Sequence, residues 1–274
     1  MLRQTVLFNG IDASGNSSLW ETNGAAAGTQ ELAVSGAATG AAGFLPNDFT
    51  VFNGEVFFAA TDAGGNHGLW VTNGTPPGTH ELTGIGGAAS NLNPGSLLAF
   101  NGELLFGGND SSGNSGLWVS NGTSAGTSEI SHKVDAADLT LFNSEVLFDG
   151  TALGGSSDLW VTNGTAAGTS DLGSISGANS GGLSPSYLTV FNNEVLFQGF
   201  DAAGNEGLWM TNGTAAGTSE IGGSGGSGII GANRFGFSPS YMTVFNSEVL
   251  FLGVNTSGQL GLWVTNGAGP GRTS

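Results

Sequence analysis

Six copies of the dipeptide Leu-Trp, with no Trp outside them, constrain this chain more than any other feature. They stand at Leu19-Trp20, Leu69-Trp70, Leu117-Trp118, Leu159-Trp160, Leu208-Trp209 and Leu262-Trp263. Successive Trp residues are 50, 48, 42, 49 and 54 positions apart. A period of roughly 40–50 residues, made of short apolar runs between Gly-rich turns, is the range of propeller blades.

Four strands can be read in each copy. In the fifth, the pattern predicts strand A over 188–191, B over 194–200, C over 207–211 with the Leu-Trp pair, and D over 219–221. Asn192-Asn193 between A and B, like Asn53-Gly54 and Asn101-Gly102 elsewhere, suits a tight hairpin whose two central residues take positive φ. Asp201 opens a longer B–C loop containing Gly204. Apolar residues in B and C are consecutive rather than alternating, as in a sheet covered on both faces. No stretch shows a helical period of 3.6. Only the segments between D and the next A vary in length: 33–47, 83–95, 131–137, 173–186 and 222–240. That variation favours blade-to-blade loops over a solenoid of β-arches, which prefers shorter and more uniform repeats. The expected fold is all-β: a β-propeller of about six four-stranded blades built from ~48-residue repeats, with 1–274 as a single repeat domain.

The text Leu-Trp-Val-Thr-Asn-Gly-Thr-x-x-Gly-Thr resembles a bacterial repeat family with the consensus Glu-Leu-Trp-x-x-Asp-Gly-Thr-x-x-Gly-Thr, described as hyalin-like or propeller-type repeats. The resemblance covers nearly the whole chain. Two departures recur. The Glu before Leu-Trp is mostly Gly (Gly68, Gly116, Gly207, Gly261), and the Asp before Gly is always Asn (Asn23, Asn73, Asn121, Asn163, Asn212, Asn266). The resemblance implies a β-propeller and no specific activity, in proteins that are often large and secreted.

Composition narrows the function classes. A formal net charge of −17 repels phosphate backbones and anionic headgroups, so nucleic-acid binding is not expected. No run approaches the ~18 apolar residues of a membrane-spanning helix, so no membrane insertion is expected either. Zero Cys removes disulfides, thiolate catalysis and zinc-thiolate sites together. The first residues do not read as a secretory leader. The acidic, Gly-rich, Cys-free composition nonetheless suits an extracellular or cell-surface protein exported without a cleaved signal.

The candidate sites are weighed in the same way. The six Trp are expected to pack between blades as the structural core rather than to form sugar-stacking platforms, because they lie mid-strand where both faces are covered. Asp12, Asp62, Asp110 and Asp201 open the B–C loops. Calcium is the one cofactor such loops suggest, but each offers a single carboxylate where calcium needs six to eight oxygens. An Asp opening a Gly-containing turn more simply accepts hydrogen bonds from its own backbone, so no metal is expected. The acids Glu31, Glu81, Glu129, Asp171 and Glu220 recur after the C–D turn, and a group repeated in every blade is a structural device. A general acid/base pair needs two unlike environments. His67, His80 and His132 occupy non-equivalent places, with no His-x-x-x-His spacing. Strand A, where propeller enzymes generally place catalytic groups, reads as acid-free, with Asp48 and Asp138 flanking it. No catalytic residue and no enzyme activity are expected. The face carrying the B–C loops and variable linkers is the candidate binding face, with Arg234 and Phe235 in its longest linker.

The strand count suggests a partner. The chain opens in what aligns with strand B and closes where strand D should begin, giving six B–C hairpins but five D–A units. Unpaired strand edges at that seam would be templates for another chain. The expectation is a non-enzymatic extracellular scaffold that associates with itself, as a dimer, a filament or a surface layer. A lectin-like module that binds glycans or surface proteins is the alternative, and the chain could also be one stretch of a longer array.

Overall fold

The computed structural model describes residues 5–40, 43–132, 134–152, 155–223, 228–233 and 235–267. Its regular elements are β-strands and single 3₁₀ turns, with no α-helix among the described residues. Repeat one contributes β1 (Val6–Ile11), β2 (Ser17–Thr22) and β3 (Gln30–Glu31). Repeat two holds β4 (Asn47–Phe52), β5 (Glu55–Thr61), β6 (His67–Thr72) and β7 (Thr79–Glu81). Repeat three holds β8 (Gly95–Phe100), β9 (Glu103–Asn109), β10 (Ser115–Ser120) and β11 (Thr127–His132). Repeat four holds β12 (Val134–Phe142), β13 (Glu145–Ala152), β14 (Ser157–Thr162) and β15 (Ser170–Asp171). Repeat five holds β16 (Ser186–Phe191), β17 (Glu194–Phe200), β18 (Glu206–Thr211) and β19 (Ser219–Glu220). Repeat six holds β20 (Ser240–Phe245), β21 (Glu248–Val254) and β22 (Leu260–Thr265). Each repeat is one antiparallel meander in chain order, three-stranded at the two ends of the described chain and four-stranded between them. The chain divides into two compact units, Met1–Lys133 and Val134–Ser274, each with three repeats.

The hairpins form for the reasons the sequence suggests. Asn192 and Asn193 take φ of 50° and 60°, and Asn53-Gly54 takes 51° and 81°, the left-handed pair that matches strand twist. The C–D motif is a capped 3₁₀ turn. In repeat three, Asn121 Oδ1 accepts from the Thr123 N–H (3.0 Å) and hydroxyl (2.7 Å), and Thr123 Oγ1 caps the Gly126 N–H (3.1 Å). A Cβ at residue 126 would collide with the Asn121 side chain, so Gly is required there. An acceptor oxygen is all the first position needs, which is why Asn serves at each repeat.

Each sheet has two unlike apolar faces. Phe of strand B pairs across the ladder with Trp of strand C, as in Phe106↔Trp118, Phe197↔Trp209 and Phe251↔Trp263. The Leu before that Trp looks the other way, because side chains alternate along a strand. Within each unit, the Trp face of one repeat packs on the Leu face of the repeat before it. Trp118 and Phe106 share a core with Phe57, Leu69 and Val71. Trp209 and Phe197 meet Leu147 and Leu159, and Trp263 and Phe251 meet Leu196, Leu208 and Met210. Trp70, Trp118 and Trp209 are fully buried. Trp20, Trp160 and Trp263 are half-buried, so packing is uneven among the six. Trp20 belongs to the first repeat described, with no earlier Leu face in its unit to cover it.

Two sequence expectations need correction. Strand A is longer than read, because each A strand carries a bulge at the same place: the register shifts between Asn47/Thr50, Gly95/Leu98, Ala137/Thr140, Ser186/Thr189 and Ser240/Thr243. Asp48, Ser96, Asp138, Tyr187 and Tyr241 sit there at positive φ. Asp48 and Asp138 therefore lie inside strand A rather than flanking it. The third linker is also absent as such. Segment 131–137 is almost entirely strand, since β11 runs to His132 and β12 starts at Val134.

Candidate functional site

Asp12, Asp62, Asp110 and Asp201 build four copies of one loop. In the third repeat, Asp110 Oδ1 accepts from Ser112 N and Asn114 N (both 2.8 Å), and Oδ2 accepts from Asn114 Nδ2 (3.0 Å). Asp12, Asp62 and Asp201 repeat the arrangement with Asn16, Asn66 and Asn205. Asn255 does the same with neutral oxygen, bonding Ser257 N and Gln259 N. The hydrogen bonds from Asn114, Asn66 and Asn16 hold the carboxyls of Asp110, Asp62 and Asp12 below the usual carboxylate range. A strap from the preceding linker crosses each later loop through a single bridge: Ala37↔Asp62, Ala88↔Asp110, Ala178↔Asp201 and Ala232↔Asn255. The side-chain hydrogen bonds of each Asp stay within its own loop, and the strap adds a backbone contact from the linker before it. Phe235 stands 81% exposed three residues beyond Ala232 on the last of these linkers, and Arg234 lies outside the described residues.

The recurring strand-D acid is brought to these loops. The Glu81, Glu129 and Glu220 carboxylates lie over Gly68, Gly116 and Gly207, where a Cβ would collide with them. Gly before Leu-Trp thus makes room for an acid delivered from strand D. In repeat two the result is a cavity of about 420 Å³ lined by Asp62, Asn66, Glu81, Thr83 and Ser90. Burial, then the Asp62 charge, raises the Glu81 pKa above its ordinary value. Repeat four has a comparable cavity, about 340 Å³, holding Asp158 and Asp171.

Repeat three departs from the others. Its D strand pairs Leu117↔Ser131 and then Trp118↔Glu129, so Ile130 is an extra, bulged residue. In a regular strand, residues three apart face opposite sides; one bulged residue between them restores the same side. Glu129 and His132 thereby meet, with His132 Nδ1 2.5 Å from Glu129 Oε2. Asp110, Glu129 and His132 each place a ligand-type atom within 4.8 Å of the other two. Sequence reading treats Glu129 as a symmetric device and places His132 in a linker. The Glu-x-x-His spacing carries no signal without knowledge of the bulge.

Two further features lie on strand A. Asp138 Oδ2 accepts from Leu188 N (2.9 Å), linking neighbouring bulges in the second unit, and burial raises its pKa. Tyr187 and Tyr241, at the next two bulges, bring exposed rings to 5.4 Å. On strand B, burial pushes the Asp149 carboxyl up to about 6, against a lowering hydrogen bond from Ser157, and Asp138, Asp135 and Asp158 add to the rise. This group binds its proton more tightly folded than unfolded, where its value is near 3.8. Its contribution to stability is full below about pH 3.8 and is lost as pH rises through about 6. Asp149→Asn should therefore raise the melting temperature at neutral pH and flatten the stability profile between about pH 4 and 6. Melting curves across that range check it; an unchanged profile contradicts the assignment.

No family model matches the chain, and no curated protein matches it. Solved structures do. A puromycin hydrolase S511A mutant complexed with PGG aligns at TM-score 0.59 and 11% identity, over 97% of this chain and 44% of that one. The β-propeller domain of the Trilobed protease from Pyrococcus furiosus, described as having an open velcro topology, aligns at 0.53 and 10%, over 96% and 79%. Pyrococcus horikoshii acylaminoacyl peptidase aligns at 0.53 and 9%, over 96% and 43%. The chain thus spans less than half the length of the two hydrolytic enzymes. With the repeated antiparallel sheets, these likenesses define the chain as all-β with a propeller-like repeat fold.

Proposed function

We propose that the chain is a non-enzymatic β-propeller scaffold, with repeats one to six as blades, that associates with a second copy of itself outside the cell. One observation carries the reading: the Leu face of repeat six is open. Leu69, Leu117, Leu159 and Leu208 are at most 1% exposed, whereas the equivalent Leu262 is 72% exposed and Val264 and Phe245 are above 50%. Everywhere within the units such a face receives the Phe/Trp face of another repeat, and repeat one carries such a face in the half-buried Phe8 and Trp20. The fit is head-to-tail, which closes into a ring of copies or extends as a filament. β22 adds to the surface, because no fourth strand pairs with it among the described residues.

Sedimentation over a concentration series tests the proposal. Mass should rise with concentration. A dispersed monomer at every concentration would overturn it, whether the face is closed by the chain's own first repeat or remains in water.

A second reading, a glycan-binding module, is supported by the exposed Tyr187–Tyr241 pair, since adjacent aromatic rings form a stacking platform beside the Asp138 bulge. Tyr241→Ala should abolish retention on a sugar column that the native chain binds. Equal retention of the two proteins would remove the tyrosines from the account.

A further inference from the structure

We propose that Asp110, Glu129 and His132 form a binding site for a divalent transition-metal ion of the zinc type, confined to the third repeat. The donor set is one imidazole nitrogen and two carboxylates, a combination that zinc accepts together with a water molecule. All three ligand atoms lie within 4.8 Å of one another. Zinc bonds of about 2.0–2.1 Å place tetrahedral donors roughly 3.3 Å apart, so the cluster needs only a modest contraction. His132 can supply it, because its side chain is 71% exposed and sits at the end of a strand.

An independent observation points to a ligand. The Glu129 side chain is only 7% exposed, and its buried Oε1 has no hydrogen-bond partner among the described residues. A buried carboxylate oxygen left without a donor is costly, and a cation is one of the few groups that satisfies it. Asp110 is held in place by its three loop hydrogen bonds, and its Oδ2, which accepts only one of them, keeps lone-pair capacity. The site also breaks the repeat symmetry. At the same offset, three residues after the strand-D acid, repeats two, four and five have Gly84, Ser174 and Gly223, and none of these is a metal ligand by side chain. The feature that distinguishes repeat three, its Ile130 bulge, is the one that brings His132 to Glu129.

The test uses the tag-free chain, stripped with a chelator and titrated with zinc chloride by calorimetry and thermal melting. One zinc per chain should bind and raise the melting temperature. Cobalt substituted for zinc should give the absorption bands of a four-coordinate nitrogen/oxygen site. His132→Ala, at an exposed position, should fold normally and bind at least ten-fold more weakly. Glu129→Gln should lose binding likewise, and His80→Ala, an exposed histidine outside the cluster, should match the native chain. Absence of zinc binding, undiminished affinity in His132→Ala, or a response to calcium alone would each overturn the proposal.

Discussion

Replacing Trp118 by Ala should destabilise the unit Met1–Lys133 by about 3–5 kcal/mol. Trp118 is fully buried, lies parallel to Phe106 at a centroid distance of 6.3 Å, and shares a core with Phe52, Phe57, Leu69, Val71 and Leu92. Its Nε1 donates to the Gly108 carbonyl at 3.0 Å, a buried hydrogen bond that truncation also removes. The large effect comes from the cavity, which two β-sheets held by their own ladders cannot collapse. Trp20→Ala should cost less than half as much, since Trp20 is half-buried and its Nε1 has no partner among the described residues. Chemical denaturation of the two variants checks both figures. Equal losses would mean that coverage by a preceding repeat is not what sets the energy of each Trp.

Leu208→Asp and Leu262→Asp should have opposite consequences although the two residues are equivalent. Leu208 is 1% exposed against Trp263 and Phe251, so a carboxylate there loses the leucine contacts and must either stay charged in an apolar site or take up a proton. A loss of about 4 kcal/mol or more is expected, enough to unfold a unit of ordinary stability. Leu262 already faces water, and Asp at that position should leave the stability of the monomer within about 1 kcal/mol of the native value. The same change places a charge at the centre of the proposed contact and should abolish concentration-dependent assembly. Sedimentation and melting of the same two preparations separate the effects. If Leu262→Asp leaves assembly intact, the open Leu face is not the contact.

Much of this was legible in particular residues. Strand β17 has the bounds that the apolar run 194–200 suggests, and β18 differs by one residue. Asn192-Asn193 adopts the positive φ expected of it. The loops opened by Asp12, Asp62, Asp110 and Asp201 contain the backbone hydrogen bonds that a turn-forming Asp implies. The A-strand bulge was not legible. Asp48, Ser96, Asp138, Tyr187 and Tyr241 share no chemistry that favours positive φ, so that conformation is imposed by packing rather than by local preference. The Glu129–His132 meeting was equally hidden, because strand periodicity alone puts residues three apart on opposite faces.

What the sequence determined by itself is therefore local and repeated: Asn-Gly-Thr-x-x-Gly-Thr turns, Asp-opened loops, Leu-Trp strands and their order in each meander. These rest on interactions that close within a single ~48-residue repeat, so each copy of the text suffices to specify its own sheet. Only the tertiary structure decided which of six equivalent Trp are fully buried, which Leu face stays open, and where a bulge brings Glu129 and His132 together. Those outcomes depend on which repeat packs next to which, and on register shifts of one residue that exchange the two faces of a strand. Neither is written in any one copy of the repeat.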